Sequence, residues 1–208
     1  MPLTFAPGDS FFVVFQGEAE ANSVTIETPA LQKMADLSTD WTVSFEPDLG
    51  APDGMTLPVL APLNEQAEDG IKYYSGISTY SRSFDLPDGM NTVADPVILN
   101  LGRVGDVAEI HVNGEEVTTL WKAPWTADIS AFVTDGANEI TVKVANLWVN
   151  RLIGDMQPDA DKITFTTIPT YMPDAPLRPS GLIGPVSLMT ERKASPPAPA
   201  NLFPARAD

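Results

Sequence analysis

Apolar and polar positions alternate along this chain in short runs, each cut by Pro, Gly, Asn or Asp. The clearest is Ala108-Glu-Ile-His-Val-Asn-Gly-Glu-Glu-Val117. With the two-residue period of a strand, Ile110 and Val112 share one face while Glu109 and His111 share the other. Asn113-Gly114 supplies the positive φ angles of a type I′ turn, so the segment predicts a tight antiparallel hairpin. The same reading predicts strands at 11–16, 24–27, 41–45, 77–86, 97–101, 108–112, 115–121, 139–146, 163–167 and 186–190. The strand at 77–86 is long enough to cross a whole sheet and ends at the turn Pro87-Asp-Gly89.

Helical periodicity is nearly absent. With 20 prolines and 14 glycines in the chain, only 31–35 and 129–133 are expected to form helical turns. Many short strands at intervals of roughly ten residues predict an all-β fold, an antiparallel β-sandwich of jelly-roll type. Three parts are expected: a leading strand region at 1–40 packed on the sandwich, the sandwich itself at 41–192, and a Pro/Ala-rich tail at 193–208. No internal repeat is evident.

Composition narrows the function classes. A 208-residue chain with 43% hydrophobic residues supports a real core. Its 28 acidic against 12 basic residues give a formal charge of -16, a field that repels nucleic-acid phosphates and anionic membrane surfaces. Neither nucleic acid nor membrane is an expected partner. The absence of cysteine removes disulfides, thiolate metal sites and cysteine nucleophiles. No apolar run reaches the roughly 20 residues of a membrane span, and Met1-Pro-Leu-Thr-Phe-Ala-Pro does not read as a signal peptide.

Several blocks in order carry a family resemblance. Ile71-Lys-Tyr-Tyr-Ser-Gly76 leads into Tyr80-Ser-Arg-Ser-Phe84, then come Leu99-Asn-Leu-Gly-Arg103, Asp106-Val-Ala-Glu-Ile-His-Val-Asn-Gly114 and Leu120-Trp-Lys-Ala-Pro-Trp125. Together they resemble the galactose-binding-like β-sandwich of family 2-type glycoside hydrolases. Asn146-Leu-Trp-Val-Asn-Arg-Leu-Ile-Gly-Asp155 and Pro179-Ser-Gly-Leu-Ile-Gly-Pro-Val186 narrow the resemblance to the carboxy-terminal sandwich of family 106, the α-L-rhamnosidases. The (β/α)8 barrel that carries catalysis in that family needs about 250 residues of alternating strands and helices, and no part of this pattern fits it. The resemblance implies an accessory module, a bacterial-type parent acting in the extracellular space or periplasm, and a catalytic glycoside hydrolase domain as a partner.

Candidate chemistry follows from these readings. Glycoside hydrolysis needs two carboxyl groups about 5 to 10 Å apart, and Asp106, Glu109, Glu115, Glu116, Asp128 and Asp155 are the acids to weigh. The usual exposure of acids favours reading Glu109, Glu115 and Glu116 as the solvent face of the hairpin and Asp128 as a turn or cap residue. Sugar binding asks for an aromatic platform and a few planar polar groups. Trp148, Asn150, Arg151 and Asp155 supply both on a segment read as a loop after a strand, where relatives send their loop toward a sugar. The bland alternative is that Trp148 plugs the sandwich end and Arg151 pairs with Asp155. Trp121 and Trp125, around Lys122 and Pro124, pose the same choice between platform and core, and so does Tyr73 beside Tyr74. His111 falls on the wet face of its strand, which gives a catalytic triad little support. A structural calcium ion is left open and without ligands, since Asp48, Asp53, Asp88, Asp95, Asp135, Asp159 and Asp161 sit where turns favour Asp anyway.

The expected function is a non-catalytic carbohydrate-binding or accessory module, with a neutral or rhamnose-containing glycan as ligand. The alternative is a structural sandwich that buttresses a catalytic barrel and binds no sugar alone; an autonomous glycosidase is the third reading. An exposed Trp148 or Trp125 favours binding, and a broad apolar patch favours the buttress.

Overall fold

The computed structural model describes residues 5, 8–14, 30–86 and 95–192. The expected strand at 24–27, the turn at 87–89 with Asp88, and the tail at 193–208 lie outside the described residues.

Two antiparallel sheets enclose the core. The larger has six strands: β2 (Thr39–Phe45), β3 (Gly54–Val59), β4 (Ile77–Asp85), β7 (Val107–Val112), β8 (Glu115–Leu120) and β10 (Ala137–Ala145), ordered β3-β2-β4-β10-β7-β8. The smaller has β1 (Ala30–Asp36), β5 (Val97–Asn100), β9 (Thr126–Asp128) and β12 (Ser187–Arg192), ordered β1-β12-β5-β9. A two-stranded ribbon joins β6 (Arg103–Val104) to β11 (Leu182–Gly184). This is the all-β sandwich that the alternation predicts. In β2 the pattern buries Trp41, Val43 and Phe45; in β7, Ala108, Ile110 and Val112; in β10, Ile140, Val142 and Val144. These inner faces meet Val97, Leu99 and Leu188 of the smaller sheet in one cluster. The indole N–H of buried Trp41 donates to the Leu37 carbonyl at 2.6 Å.

The hairpin forms as expected. Val112 faces Glu115 across a two-residue turn, with Asn113 and Gly114 at φ 52° and 83°. A bulge between Ile110 and His111 shifts the register of that pair.

Several expectations fail. Residues 31–35 lie in strand β1, paired with β12 from Ala30↔Arg192 to Asp36↔Ser187, instead of a helical turn. Residues 163–167 form no strand, and neither do 11–14. The segment after β10, read as a loop, contains a short helix, α2 (Val149–Gly154); a shorter one, α1 (Asp69–Lys72), precedes β4. Residues 129–133 make a turn closed by Phe132 N–H to the Ile129 carbonyl at 2.9 Å, with no helix.

Register gathers the candidate residues at one end of the larger sheet. Ala145 faces both Ile77 and Val107, Phe45 faces Ser78, and Ala108 faces Leu120. The segments leaving β2, β8 and β10, and those entering β4 and β7, therefore emerge together.

Candidate functional site

Strand β10 ends at Ala145, and its continuation turns at once into α2. Trp148 stands at the helix start, 63% exposed, with its carbonyl accepting the Leu152 N–H at 2.9 Å. It plugs nothing. The next three candidates point the other way. Asn150, Arg151 and Asp155 are all buried, so the structure separates an outward tryptophan from an inward polar group.

That group is organised to hold backbone. The Asn150 carboxamide donates to the Arg178 carbonyl and accepts the Arg178 N–H, each at 2.8 Å, and so imitates a strand pair. Arg151 Nε lies 2.9 Å from Asp155 Oδ1, an ion-pair contact whose N–H is not aligned for a hydrogen bond. Asp155 accepts the backbone N–H groups of Ile163 at 3.2 Å and Thr164 at 2.8 Å, and the Thr164 hydroxyl. Burial works to raise its carboxyl pKa. The donors of Thr164 and Ile163 and the Arg151 charge outweigh burial, and the group is held below its ordinary value. Gln157 completes the set by donating to the Pro173 carbonyl at 2.9 Å. Three side chains in and just after α2 thus pin the long irregular segment between α2 and β11.

Tyr73 and Arg151 meet in a cleft of about 390 Å³, beside Asp69, Gln157, Asp159 and Asp161. Tyr73 is only 8% exposed, and Lys72 Nζ and Arg151 Cζ lie 5.1 and 6.0 Å from its ring centroid. Its ring is engaged by cations and offers no free platform. A second cleft of about 210 Å³ lies beside Asp155, walled by Phe165, Thr166 and Pro169. A third, of about 270 Å³, opens between Arg103 and Arg178, with Asp106 and Leu147 in its wall.

The tryptophans after β8 divide. Trp121 is 69% exposed, whereas Trp125 packs against the core as the bland alternative held. Of the acids weighed for catalysis, Glu109 pairs with Lys143 at 2.7 Å and with His111 at 2.6 Å, and these partners hold its carboxyl below the ordinary range. Asp128 accepts the Ser130 N–H at 2.9 Å, while Glu115 and Glu116 stand exposed on β8. Asp106 differs: burial pushes its pKa up, against the Leu147 N–H and the Arg178 charge. Among the described residues no group of three or more His, Cys, Asp or Glu side chains gathers that could hold a metal ion. No described helix is long and apolar enough to cross a membrane.

Sequence reasoning missed Arg103 and Arg178 as partners. They are far apart in the chain, and the one signal was that both sit beside Gly- and Pro-rich blocks in a chain with few basic residues.

No family model matches the chain. It is similar to a rhamnosidase from Novosphingobium sp. PP1Y, with 48% identity and a TM-score of 0.79 over 83% of this chain and 16% of that one. It is 30% identical over 211 residues to the Formosa agariphila protein named "Putative beta-glucuronidase", across 89% of this chain and 18% of that protein. β-Glucuronidases from an uncultured Clostridium sp. and from Dictyoglomus thermophilum share the fold, with TM-scores of 0.57 and 0.55 at 21% and 23% identity. The chain spans less than a fifth of the length of the first two, and its likeness is to one segment of much larger glycoside hydrolases.

Proposed function

We propose that the chain is a non-catalytic accessory module of a glycoside hydrolase of the α-L-rhamnosidase kind, equivalent to the carboxy-terminal sandwich of family 106, and that it binds a neutral or rhamnose-containing glycan. The observation that carries this is 48% identity, over 83% of the chain, to a 16% segment of a rhamnosidase. The geometry adds an exposed Trp148 at the loop end of the sandwich, next to Leu147 in the wall of a cleft. An indole face there suits the apolar face of a pyranose. The engaged acids support a non-catalytic role, because Asp155 is committed to Arg151, Ile163 and Thr164.

Titration calorimetry of the chain with L-rhamnose-containing oligosaccharides tests the reading. Saturable binding that Trp148→Ala abolishes supports it. No heat at millimolar ligand overturns the binding part.

A second reading, a sandwich that buttresses a catalytic barrel, is favoured by a different observation. Phe165 and Ile168 are 88% and 74% exposed, and Met172 is exposed with them on the segment that α2 pins. Apolar side chains held outward by a built scaffold suit a protein surface.

A further inference from the structure

We propose that the cleft between Arg103 and Arg178 is a subsite for the carboxylate of an acidic saccharide, a uronate residue within a glycan. The proposal rests on the reading of the chain as a glycan-binding module and specifies the charge of one sugar it takes.

The walls of the cleft are built rather than incidental. Strands β6 and β11 pair through Val104↔Leu182 and Arg103↔Gly184, and the Gly105 N–H donates to the Gly181 carbonyl at 2.9 Å. On the facing wall, buried Asn150 holds both the N–H and the carbonyl of Arg178. Both arginine backbones are therefore fixed while their side chains remain exposed at the same opening. Anchored backbones leave only the side-chain rotamers to be ordered when a ligand arrives.

The balance of charge points to an anion. Among the described residues neither Arg103 nor Arg178 forms an ion pair, in a chain with 28 acidic residues against 12 basic. Asp106 is the one acid lining the cleft and makes ion-pair contact with neither arginine, so both guanidinium groups are available to an external carboxylate, whose two oxygens match the guanidinium fork. Two guanidinium groups and the half-buried Asp106 carboxylate leave one net positive charge in the cleft, which one uronate neutralises. Asp106 then remains an acceptor for a sugar hydroxyl. Val104, Leu147 and Ile183 give the cleft apolar walls, and its volume of about 270 Å³ falls just below the roughly 300–1,000 Å³ of drug-sized ligand pockets, a size for one ring. The -16 overall charge opposes long-range capture of polyanions, so recognition here is short-range.

The test uses the full 208-residue chain with four probes: a tri-D-galacturonate, its methyl ester, a neutral L-rhamnose trisaccharide, and inorganic sulfate. The expected result is at least tenfold tighter binding of the acid than of its ester. Arg103→Gln or Arg178→Gln, each checked for an unchanged melting temperature, should lower that affinity at least tenfold while leaving the neutral trisaccharide's affinity unaltered. Equal binding of acid and ester, or an acid affinity indifferent to both substitutions, overturns the proposal. So does sulfate binding that matches or exceeds the uronate, which would make the cleft an anion site without sugar recognition. If the neutral trisaccharide binds while the uronate does not, this subsite falls and the glycan-binding reading stands. If no saccharide binds, both fall.

Discussion

Arg151 and Asp155 form an ion pair one helical turn apart, Nε to Oδ1 at 2.9 Å, with both side chains 7% exposed. Such a pair stabilises little in net terms, because each ion loses water on burial, but removing one partner strands the other. Asp155 also holds two backbone N–H groups of the 163–164 segment. Asp155→Ala should therefore destabilise the chain by about 3–5 kcal/mol. The double variant Arg151→Met, Asp155→Leu should recover part of that loss but not all, since the N–H groups of Ile163 and Thr164 stay unpaired. Urea denaturation of the parent, the alanine variant and the double variant checks both statements. Equal stability of Asp155→Ala and the parent chain would show that the pair is not structural.

Asp155 and Asp106 should respond to pH with opposite sign. Asp155 has its pKa lowered in the folded state, so the unfolded chain binds more protons through that range. Its contribution to stability is present above the unfolded value of about 4 and is lost as pH falls through the folded value. Asp106 has its pKa raised, so the folded chain binds more protons, and ionising it as pH rises above about 4 costs stability. Chemical denaturation from pH 3 to 7 should show Asp155→Asn flattening the acid-side loss of stability. Asp106→Asn should instead steepen it, by removing a group that favours the folded state as it protonates. Parallel curves for the two variants would contradict the assignments.

How far these features could be read from sequence depends on whether the deciding interaction is local. The Asn113-Gly114 hairpin and the faces of β2, β7 and β10 follow from neighbouring residues, and they were legible. Residues 31–35, Leu-Gln-Lys-Met-Ala, favour helix by intrinsic propensity, yet pairing with Ser187–Arg192 makes them an edge strand. Residues 163–167 are β-formers, but the N–H groups of Ile163 and Thr164 are taken by Asp155, leaving no ladder to join. The same gap limited the site. Pairing of Arg151 with Asp155 was open at i, i+4 spacing, whereas the inward turn of Asn150 depends on Arg178, which no local pattern could place.

Gly70 offers a case where propensity and packing disagree. It lies inside α1 with no positive φ, so alanine would be favoured by about 1 kcal/mol on helix propensity alone. A methyl group there would enter the van der Waals shell of the Gly50 carbonyl oxygen and press on Ala51. Backbone cannot swing aside as a flexible side chain can. Gly70→Ala should therefore destabilise by about 1–3 kcal/mol, and by widening the contact between the 46–53 and 69–73 segments it should disturb the cleft of Tyr73 and Arg151. At Gly114, with φ 83° and open space where a methyl group would stand, alanine should cost only its left-handed conformation, about 1–2 kcal/mol. Thermal melts of both variants, with amide exchange at 46–53, separate the two mechanisms; a Gly70→Ala protein more stable than its parent would mean that the contact yields freely.

The exposed apolar groups decide between the sugar-binding and buttress readings, because each predicts a different loss. Trp148 is too exposed for its truncation to change stability by more than about 0.5 kcal/mol, and the same holds for Phe165, Ile168 and Met172. If the indole is a sugar platform, Trp148→Ala abolishes binding of a rhamnose trisaccharide and the triple variant Phe165→Ser, Ile168→Ser, Met172→Ser leaves it intact. If the pinned segment docks on a catalytic domain, the triple variant, placed within a complete rhamnosidase in the position of its matching segment, lowers the melting temperature of the whole enzyme while Trp148→Ala does not. The pinning residues sharpen this comparison. Gln157 and Asp155 hold the segment through the Pro173 carbonyl and the Thr164 N–H, so Gln157→Ala should weaken docking by loosening the presentation of the apolar side chains. A triple variant with unchanged enzyme stability would remove the buttress reading and leave the exposed apolar side chains without a docking role.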